Sequence, residues 1–348
     1  QTGEPCSARS TCAERMAVMR NCILNICVAA MLLSLPASAA GAPARELAPE
    51  VRTFIEEMVG RHGFERASLE RTLRGARFVD SIITAMDAPS TSLPWHEFRA
   101  RHVTEARISN GLKFWAEHAV ALEKAAAEFS VPAEIMVATM GIETRYGRYT
   151  GNIRVLDALS TLAFGYPPRA AFFRGELEQF LLLARETGLP LEGLRGSYAG
   201  AIGIPQFIPS SYRKYAVDFD GDGRIDLRRI ADAIGSVANY YRRFGWQPGA
   251  PVIVPVDVGD TPLDAMLAAG IAPRTTVAEF RKRGVLPLEP VADDALAALI
   301  SVESETGPRY FLGLNNFYVI TRYNRSTNYA MVVHETAVAL RERRSRAP

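Results

Sequence analysis

Glu143 is the carboxylate in this chain whose surroundings most favour acid–base chemistry. It follows Met136–Ile142, a run of apolar and small residues, and precedes a polar turn bounded by glycine. At helical spacing it shares a face with Met136, Thr139 and Met140, and such a face normally turns inward. We therefore expect Glu143 to lose water and its pKa to rise, an effect that a nearby helix C-terminus reinforces. A carboxylic acid that stays protonated near neutral pH can act as a general acid.

A purely structural interpretation of Glu143 is the alternative. The side chain would end its helix in an ion pair with Arg145 or Arg148, which follow closely in the sequence. Position alone favours this interpretation, because structural ion pairs occur at many helix ends and also perturb carboxyl pKa values. The rest of the sequence has to decide between the two.

Other residue types that carry chemistry exclude several classes of protein. All four cysteines precede residue 40, so the expected mature chain has no disulfide, thiolate metal site or cysteine nucleophile. The five histidines show no H-E-x-x-H spacing, and no G-x-S-x-G, Walker or dinucleotide fingerprint occurs. A net charge of +2 over 348 residues gives no indication of a nucleic-acid partner. These absences narrow the chemistry to carboxylates.

The first forty residues predict an export signal. A short basic region, Met19–Asn21, precedes the apolar run Cys22–Leu35, and small residues in an A-x-A pattern follow at Pro36–Ala40. The run is too short for an ordinary spanning helix. We interpret it as a signal peptide that starts at Met16 or Met19, with a retained anchor as the alternative. The mature chain is then expected in the periplasm, without a transmembrane segment.

A second acidic motif begins at Asp218. Its spacing matches the first nine positions of a calcium loop, including the glycine at the sixth position. The candidate metal-site residues are Asp218, Asp220, Asp222, Arg224 and Asp226. The twelfth position, where a bidentate glutamate is expected, is Arg229. The alternative is a structural turn of the same shape, with Arg224, Arg228 and Arg229 neutralising the aspartates.

Mostly helical elements are expected to position these motifs. Helical periodicity predicts helices within residues 51–86, broken at 60–63, and over residues 108–129, 170–187 and 234–241. Ser130 is expected to cap the helix of Glu143, and Phe172 to face inward. Short strands are predicted at residues 252–256, 297–302 and 310–312, with a small helix at 277–283. The change from helical to strand-like sequence patterns predicts a small α+β insertion.

Two loop regions offer further candidate contacts. Residues 196–212 hold closely spaced glycines and an isolated Gln206, a pattern that favours a ligand-facing loop over a plain helix–helix turn. Residues 315–330 form a polar and aromatic stretch before a final helix that runs through Leu340. The simpler interpretation of this second stretch is a capped helix entry with a core tyrosine.

Taken together, these motifs resemble the lytic murein transglycosylase B family. The resemblance rests on stretches in family order, at residues 141–147, 166–167, 196–212, 218–227 and 316–329. They cover the chain from about Phe54 to Leu340, a length over which chance agreement is implausible. The resemblance therefore outweighs the structural interpretation of Glu143.

The resemblance implies a mainly α (α+β) fold class. The expected architecture is a lysozyme-like helical core with a helical N-terminal domain and a small inserted β-rich domain. The chain would divide into residues 1–40 (signal peptide and upstream residues), 41–115 (helical α-domain), 116–249 (lysozyme-like catalytic core), 250–313 (β-rich insertion) and 314–348 (return to the core).

The same resemblance implies cleavage of the β-1,4 bond between N-acetylmuramic acid and N-acetylglucosamine in peptidoglycan. Glu143 would be the single catalytic acid and base. The implied substrate-binding residues are Ser197, Gln206, Tyr323, Asn324, Tyr329, Arg169 and Phe98. No cofactor would be required, although a structural calcium ion fits the family. Glycan strands would be the partner, and a monomer is expected.

Some residues depart from the family pattern, and two other functions stay open. Phe98 stands where a groove tyrosine is found, and Pro168 replaces one of two adjacent arginines, which leaves Arg169. A hydrolytic muramidase would need a second carboxylate, and none lies immediately beside Glu143. A non-catalytic glycan- or calcium-binding protein would not need Glu143 at all.

Overall fold

Helices dominate the residues that the computed structural model describes, 46–87 and 93–346. The predicted signal peptide and all four cysteines lie outside these ranges. The helices are α1 (Pro49–His62), α2 (Arg66–Arg74), α3 (Asp80–Asp87), α4 (Trp95–His102), α5 (Glu105–Glu117), α6 (Ala119–Phe129), α7 (Ala133–Thr144), α8 (Val155–Gly165), α9 (Ala170–Thr187), α10 (Pro209–Tyr215), α11 (Ile230–Arg243), α12 (Asp264–Ala268), α13 (Val277–Lys282), α14 (Asn315–Tyr323) and α15 (Thr327–Arg346).

The strands form two antiparallel sheets. The first pairs two short strands, β1 (Ile153–Arg154) and β2 (Arg195–Gly196). The second has the order β4-β6-β7-β3-β5, built from β3 (Ile253–Asp257), β4 (Thr275–Thr276), β5 (Leu286–Pro287), β6 (Leu296–Ser304) and β7 (Gly307–Leu314). The three predicted strands of the insertion and its small helix are therefore confirmed, with bounds shifted by a few residues.

The buried apolar side chains form two groups, one among the helices and one against the larger sheet. The larger group runs through the helices and includes Phe54, Met136 and Phe317. The smaller group, with Val277 and Leu312, lies beneath the five-stranded sheet. The helical periodicity of the sequence and the alternation of its strands each put apolar side chains on one face, which these two groups bury.

Three local predictions are wrong. The helix expected over residues 108–129 is broken at His118, whose backbone (φ −119°, ψ 24°) leaves the helical region between α5 and α6. Ser130 does not cap α7; it ends α6 in the left-handed region, with φ of 57°, and Pro132 precedes α7. Phe172 is 41% exposed, although its helix, α9, has the predicted bounds.

No single helix in the described part of the chain is both long and apolar enough to cross a membrane. Together α6 and α7 reach that length and composition, but they are bent by 116° where they join.

Close packing fixes α7 against α5. A Cβ atom added to Gly111 of α5 or to Gly141 of α7 would lie 2.5 Å from the hydroxyl oxygen of Tyr146. The Tyr146 side chain therefore reaches both helices where each lacks a side chain, and its hydroxyl donates a 2.9 Å hydrogen bond to the carbonyl of Arg107. Helix α7 also packs on α15, so α7 has packed neighbours on two sides.

Candidate active site

Glu143 lies in the last turn of α7, where the helix meets the glycine-rich loop. Thr144 donates from Oγ1 to the backbone carbonyl of Ile204 over 2.9 Å and accepts the backbone N–H of Gly147 over 3.0 Å. Arg145 ends the helix in the left-handed region, with φ of 50°. These contacts fix the helix end and so limit where the Glu143 side chain can point.

The carboxyl group of Glu143 keeps limited access to solvent but behaves as a buried acid. The residue is only partly exposed, and desolvation raises its pKa from 4.5 to about 7. The hydroxyl of Tyr329 acts in the opposite direction, because it donates a 2.6 Å hydrogen bond to Oε1 and so favours the charged form. The predicted rise in pKa is confirmed. A substantial fraction of Glu143 is therefore protonated at neutral pH.

Four tyrosines surround this acid: Tyr240, Tyr241, Tyr323 and Tyr329. The rings of Tyr323 and Tyr329 stack with centres 6.3 Å apart, and those of Tyr241 and Tyr323 have centres 5.7 Å apart. Burial raises the pKa of all four, and the negative charge of Glu143 adds to that rise. All four are therefore close enough for the charge of Glu143 to affect their pKa values, and all stay protonated.

Three of these hydroxyls have partners other than Glu143. Tyr240 donates to the carbonyl of Arg322 and Tyr323 donates to the carbonyl of Pro205, each over 2.6 Å. Tyr241 shares a 2.8 Å hydrogen bond with Thr139. Within the described ranges, Tyr329 is thus the one tyrosine whose hydroxyl contacts the acid.

Neither arginine of the structural interpretation pairs with Glu143. Across the part of the chain that the structure describes, Glu143 forms no ion pair, and no aspartate or glutamate contributes to the shift in its pKa. Desolvation and the Tyr329 hydroxyl account for that shift. The carboxyl group is thus an isolated acid in a tyrosine-lined site.

The glycine-rich loop places Ser197 and Gln206 through its own hydrogen bonds. Ser197 Oγ accepts the backbone N–H groups of Ala199 and Ala201, over 3.2 and 3.0 Å. Gln206 has a positive φ of 52°, and its Nε2 donates to the carbonyls of Thr150 and Gly203. Both side chains stay partly exposed. The amide nitrogen of Gln206 is thus already used, whereas no group among the described residues donates to its side-chain oxygen.

Tyr323, Asn324 and Tyr329 come from the junction of α14 and α15. Asn324 ends α14 in an extended conformation and is exposed, whereas Tyr329 is buried with its hydroxyl on Glu143. Arg169 lies apart from this group in the chain, at the start of α9, where its exposed guanidinium lies 4.5 Å from the ring centre of Phe172. Their roles toward a sugar stay predictions.

Phe98 requires a correction. It was expected to line the groove, but it is only 2% exposed. Its ring stacks on that of His102, with centres 4.1 Å apart. A phenyl ring has no hydroxyl to bring to a polar surface, so Phe98 packs inward and leaves almost none of its surface exposed to line a groove.

The contacts of Thr139, Tyr240 and Tyr241 within the site were not predicted from the sequence. Thr139 is a fully buried hydroxyl on the apolar helix of Glu143, and its hydrogen bond to Tyr241 satisfies both groups. A polar residue within an otherwise apolar helix was a visible signal of a buried partner. In the sequence, Tyr240 and Tyr241 of α11 look like ordinary core residues, and no motif marks them as part of a site.

The acidic loop partly fits a calcium ion. Carboxylate oxygens of Asp218, Asp220 and Asp222 lie within 4.8 Å of one another. Arg229 forms ion pairs with Asp220, over 3.2 Å, and with Asp222. Asp232 is buried and accepts the backbone N–H groups of Phe219 and Asp226, so it holds the two ends of the loop. Oxygen ligands suit calcium, but Arg229 supplies a competing cation at the twelfth position.

Known proteins resemble this chain over most of its length. The family described as "Transglycosylase SLT domain" matches residues 46–338. The membrane-bound lytic murein transglycosylase B of Escherichia coli (strain K12) is 43% identical over 302 residues, covering 84% of this chain and 82% of that protein. The soluble lytic transglycosylase SltB1 from Pseudomonas aeruginosa has a TM-score of 0.79 and 45% identity, covering 85% of this chain and 100% of that one.

A further solved structure is the Escherichia coli lytic transglycosylase Slt35 in complex with calcium. It has a TM-score of 0.76 and 42% identity, covering 85% of this chain and 94% of that one. The mainly helical fold with a small antiparallel sheet is shared with these structures, as the resemblance in the sequence predicted. The chain belongs to the SLT-domain transglycosylase family.

Proposed function

We propose that this chain is a lytic transglycosylase that cleaves the β-1,4 bond between N-acetylmuramic acid and N-acetylglucosamine in peptidoglycan. The bond is broken without water, and the product ends in a 1,6-anhydro sugar. The observation that supports this most strongly is the isolation of Glu143, an acid with a pKa of about 7 that no second carboxylate among the described residues perturbs. Mass spectrometry of the products from a purified sacculus digest tests the proposal.

In the first step Glu143 acts as the general acid. Tyr329 donates to Oε1, so the carboxyl proton is free to reside on Oε2 and to reach the glycosidic oxygen. Protonation of that oxygen breaks its bond to C1, and the N-acetylglucosamine portion departs as an alcohol. C1 of the muramic acid then carries oxocarbenium character.

In the second step the ionised Glu143 acts as the general base. It removes the proton from the C6 hydroxyl of the same sugar, and that oxygen closes onto C1. Glu143 regains its proton, so the enzyme returns to its starting state and no water is consumed. A pKa near neutrality suits both steps, because one group must give and then take the same proton.

Several residues are proposed to hold the sugar and its acetamido group. Ser197, Gln206 and Asn324 present polar atoms from the glycine-rich loop and the end of α14. The hydroxyl groups of Tyr323 and Tyr329 are already engaged with Pro205 and Glu143, so these rings shape the site and orient the acid. Arg169 offers an exposed cation at the start of α9.

A hydrolytic muramidase is the second candidate for the reaction. Such an enzyme would use another carboxylate to activate water or to trap the sugar. The carboxyl group of Glu143 has tyrosines around it in place of such a partner. The isolation of Glu143 therefore favours the transglycosylase.

The remaining proposals concern architecture and location. We infer that residues 41–115, 116–249, 250–313 and 314–348 act as the domains expected from the sequence, and that the mature chain is a periplasmic monomer. A calcium ion at the Asp218 loop would be structural and weakly bound, held by Asp218, Asp220 and Asp222, because Arg229 takes the place of a carboxylate.

A further inference from the structure

Glu176 is a buried carboxylate on α9 that the proposed reaction does not use. It is 5% exposed, and no cation among the described residues pairs with it. Both of its oxygens contact Ser210, the second residue of α10. Oε2 accepts the backbone N–H over 2.9 Å, and Oε1 accepts the Oγ hydroxyl over 2.7 Å. Burial raises the pKa of this carboxyl group, and the two hydrogen bonds from Ser210 act against that rise.

Helix α10 has no capping side chain of its own. Ile208 occupies the N-cap position, where its apolar side chain cannot accept a hydrogen bond, and Pro209 begins the helix without an N–H. The N–H of Ser210 is therefore the first donor of the helix that needs a partner. Glu176 supplies that partner from a position 34 residues earlier in the chain, so it caps α10 from the neighbouring helix.

The capped end of α10 is also the end of the glycine-rich loop. Phe207 closes this loop, because its N–H donates to the carbonyl of Ile202 over 3.1 Å and its carbonyl accepts the N–H of Ile202 over 2.8 Å. Gln206 lies just before this closure with a φ of 52°, a left-handed conformation that is unfavourable for a residue with a side chain. Such a conformation persists where the surrounding structure holds it in place.

Contacts through space connect this end of the loop with the acid. The carbonyl of Pro205 accepts the hydroxyl of Tyr323 over 2.6 Å, and the ring centres of Phe207 and Tyr323 are 5.8 Å apart. The Tyr323 ring stacks in turn on Tyr329, whose hydroxyl donates to the catalytic carboxyl group. The residues on both sides of Gln206 therefore lie against the tyrosines of the site.

We propose that Glu176 is a positioning residue that fixes the end of the glycine-rich loop, and with it Gln206, for binding of the glycan strand. The inference rests on the proposed function, which assigns Gln206 to the sugar. Glu176 acts through Ser210, and it does not contribute to the pKa shift of Glu143. Without the cap, the start of α10 loosens and Gln206 can leave its left-handed conformation. The strand then binds more weakly, while the proton transfers of Glu143 are unaffected.

Four variants separate this role from the general stability of α9. Glu176→Ala removes both hydrogen bonds. Glu176→Gln keeps them, because its amide oxygen can accept the N–H and its amide nitrogen can donate to Oγ. Ser210→Ala removes only the hydrogen bond from Oγ, so it tests the contact even if Glu176→Ala folds poorly. Glu178→Ala is the matched control: Glu178 lies on the same helix with a side chain 17% exposed, but its partners are His62 and Arg61 of α1.

The first measurement is calorimetry with peptide-free glycan strands, in a Glu143→Gln background that leaves the strands intact. Glu176→Ala should weaken binding about tenfold and Ser210→Ala about threefold, whereas Glu176→Gln and Glu178→Ala should match the parent chain. With Glu143 restored, KM should rise by the same factors. The pH profile of kcat should stay in place, because it reports on the acid.

The second measurement, hydrogen exchange, does not depend on the reaction. The N–H groups of Phe207 and Ser210 should exchange faster in Glu176→Ala than in the wild type or in Glu178→Ala. Unchanged binding, unchanged exchange at these positions, or the same changes in Glu178→Ala would each overturn the inference. Reducing ends among the wild-type products would refute the proposed reaction instead, and weaker binding with faster exchange in Glu176→Ala would still support the role of Glu176.

Discussion

The hydroxyl of Tyr329 donates a 2.6 Å hydrogen bond to Oε1 of Glu143, and it does so from a helix 186 residues further along the chain. This hydrogen bond lowers the pKa of Glu143, while burial raises it by a larger amount. The balance leaves the acid with a pKa of about 7. Tyr329 therefore acts as a positioning residue that tunes the group proposed to carry both proton transfers.

Substitution Tyr329→Phe tests this tuning. Without the hydrogen bond the pKa of Glu143 should rise, so the fall of kcat/KM on the alkaline side should move to higher pH by up to about one unit. Tyr323→Phe is the matched control, because its hydroxyl contacts the carbonyl of Pro205. A profile for Tyr329→Phe that is unchanged, or displaced to lower pH, would contradict the assignment.

Substitution Glu143→Gln tests the role of the acid itself. The amide keeps the shape of the side chain but cannot give or take the proton, so kcat should fall by at least ~10²–10⁴. Binding of glycan strands, measured separately, should persist. Glu128→Gln, an exposed position on α6, should leave both quantities unchanged. Retention of wild-type activity by Glu143→Gln would favour a non-catalytic or differently catalysed function.

The same variant should alter stability in a pH-dependent way. Because the folded-state pKa of Glu143 is raised from 4.5 to about 7, folded wild type holds a proton that the unfolded chain releases within this window. Wild-type stability therefore falls as pH rises from about 4.5 to 7. The shift corresponds to about 3 kcal/mol.

Glu143→Gln removes this contribution to the pH dependence. Its free energy of unfolding, relative to wild type, should increase between about pH 4 and pH 8 by up to about 3 kcal/mol. Urea unfolding of both chains at several pH values measures the difference. A difference that is constant across this range would show that burial does not perturb Glu143 as described.

The acidic loop gives a prediction for calcium. Wild type should bind calcium weakly, and chelator should change its melting temperature little, because Arg229 already pairs with Asp220 and Asp222. Arg229→Glu supplies the missing twelfth ligand and should make the melting temperature clearly calcium-dependent. Arg243→Glu adds the same charge at an exposed position in the last turn of α11, outside the acidic loop, and serves as the control. A large chelator-induced fall in wild type would contradict weak binding.

The acid and most elements could be predicted from local sequence patterns. The apolar face of α7 indicated the burial of Glu143, and helical spacing gave α9 its bounds. Strand composition and alternation indicated β3, β6 and β7. Each of these features depends on residues that are neighbours along the chain, so a short window contains the information.

The remaining features depend on contacts between distant segments. No local pattern could pair Glu143 with Tyr329; the resemblance to a family pointed to Tyr329 as a groove residue, and the structure supplied its hydrogen bond. Phe98 shows that a role cannot always be transferred from the matching position of a family. Its ring turns into the core and stacks on His102. Ser130 adopts a left-handed conformation, in a bend of 116° between α6 and α7, which its capping propensity did not predict.

In the proposed reaction Glu143 alone handles the protons, and water takes no part. Digestion of purified sacculi in heavy-oxygen water, followed by mass spectrometry of the released fragments, tests this most directly. We expect anhydro ends that are one water lighter than reducing ends and carry no heavy oxygen. Reducing ends that contain the heavy oxygen would contradict it, because water would then have attacked C1.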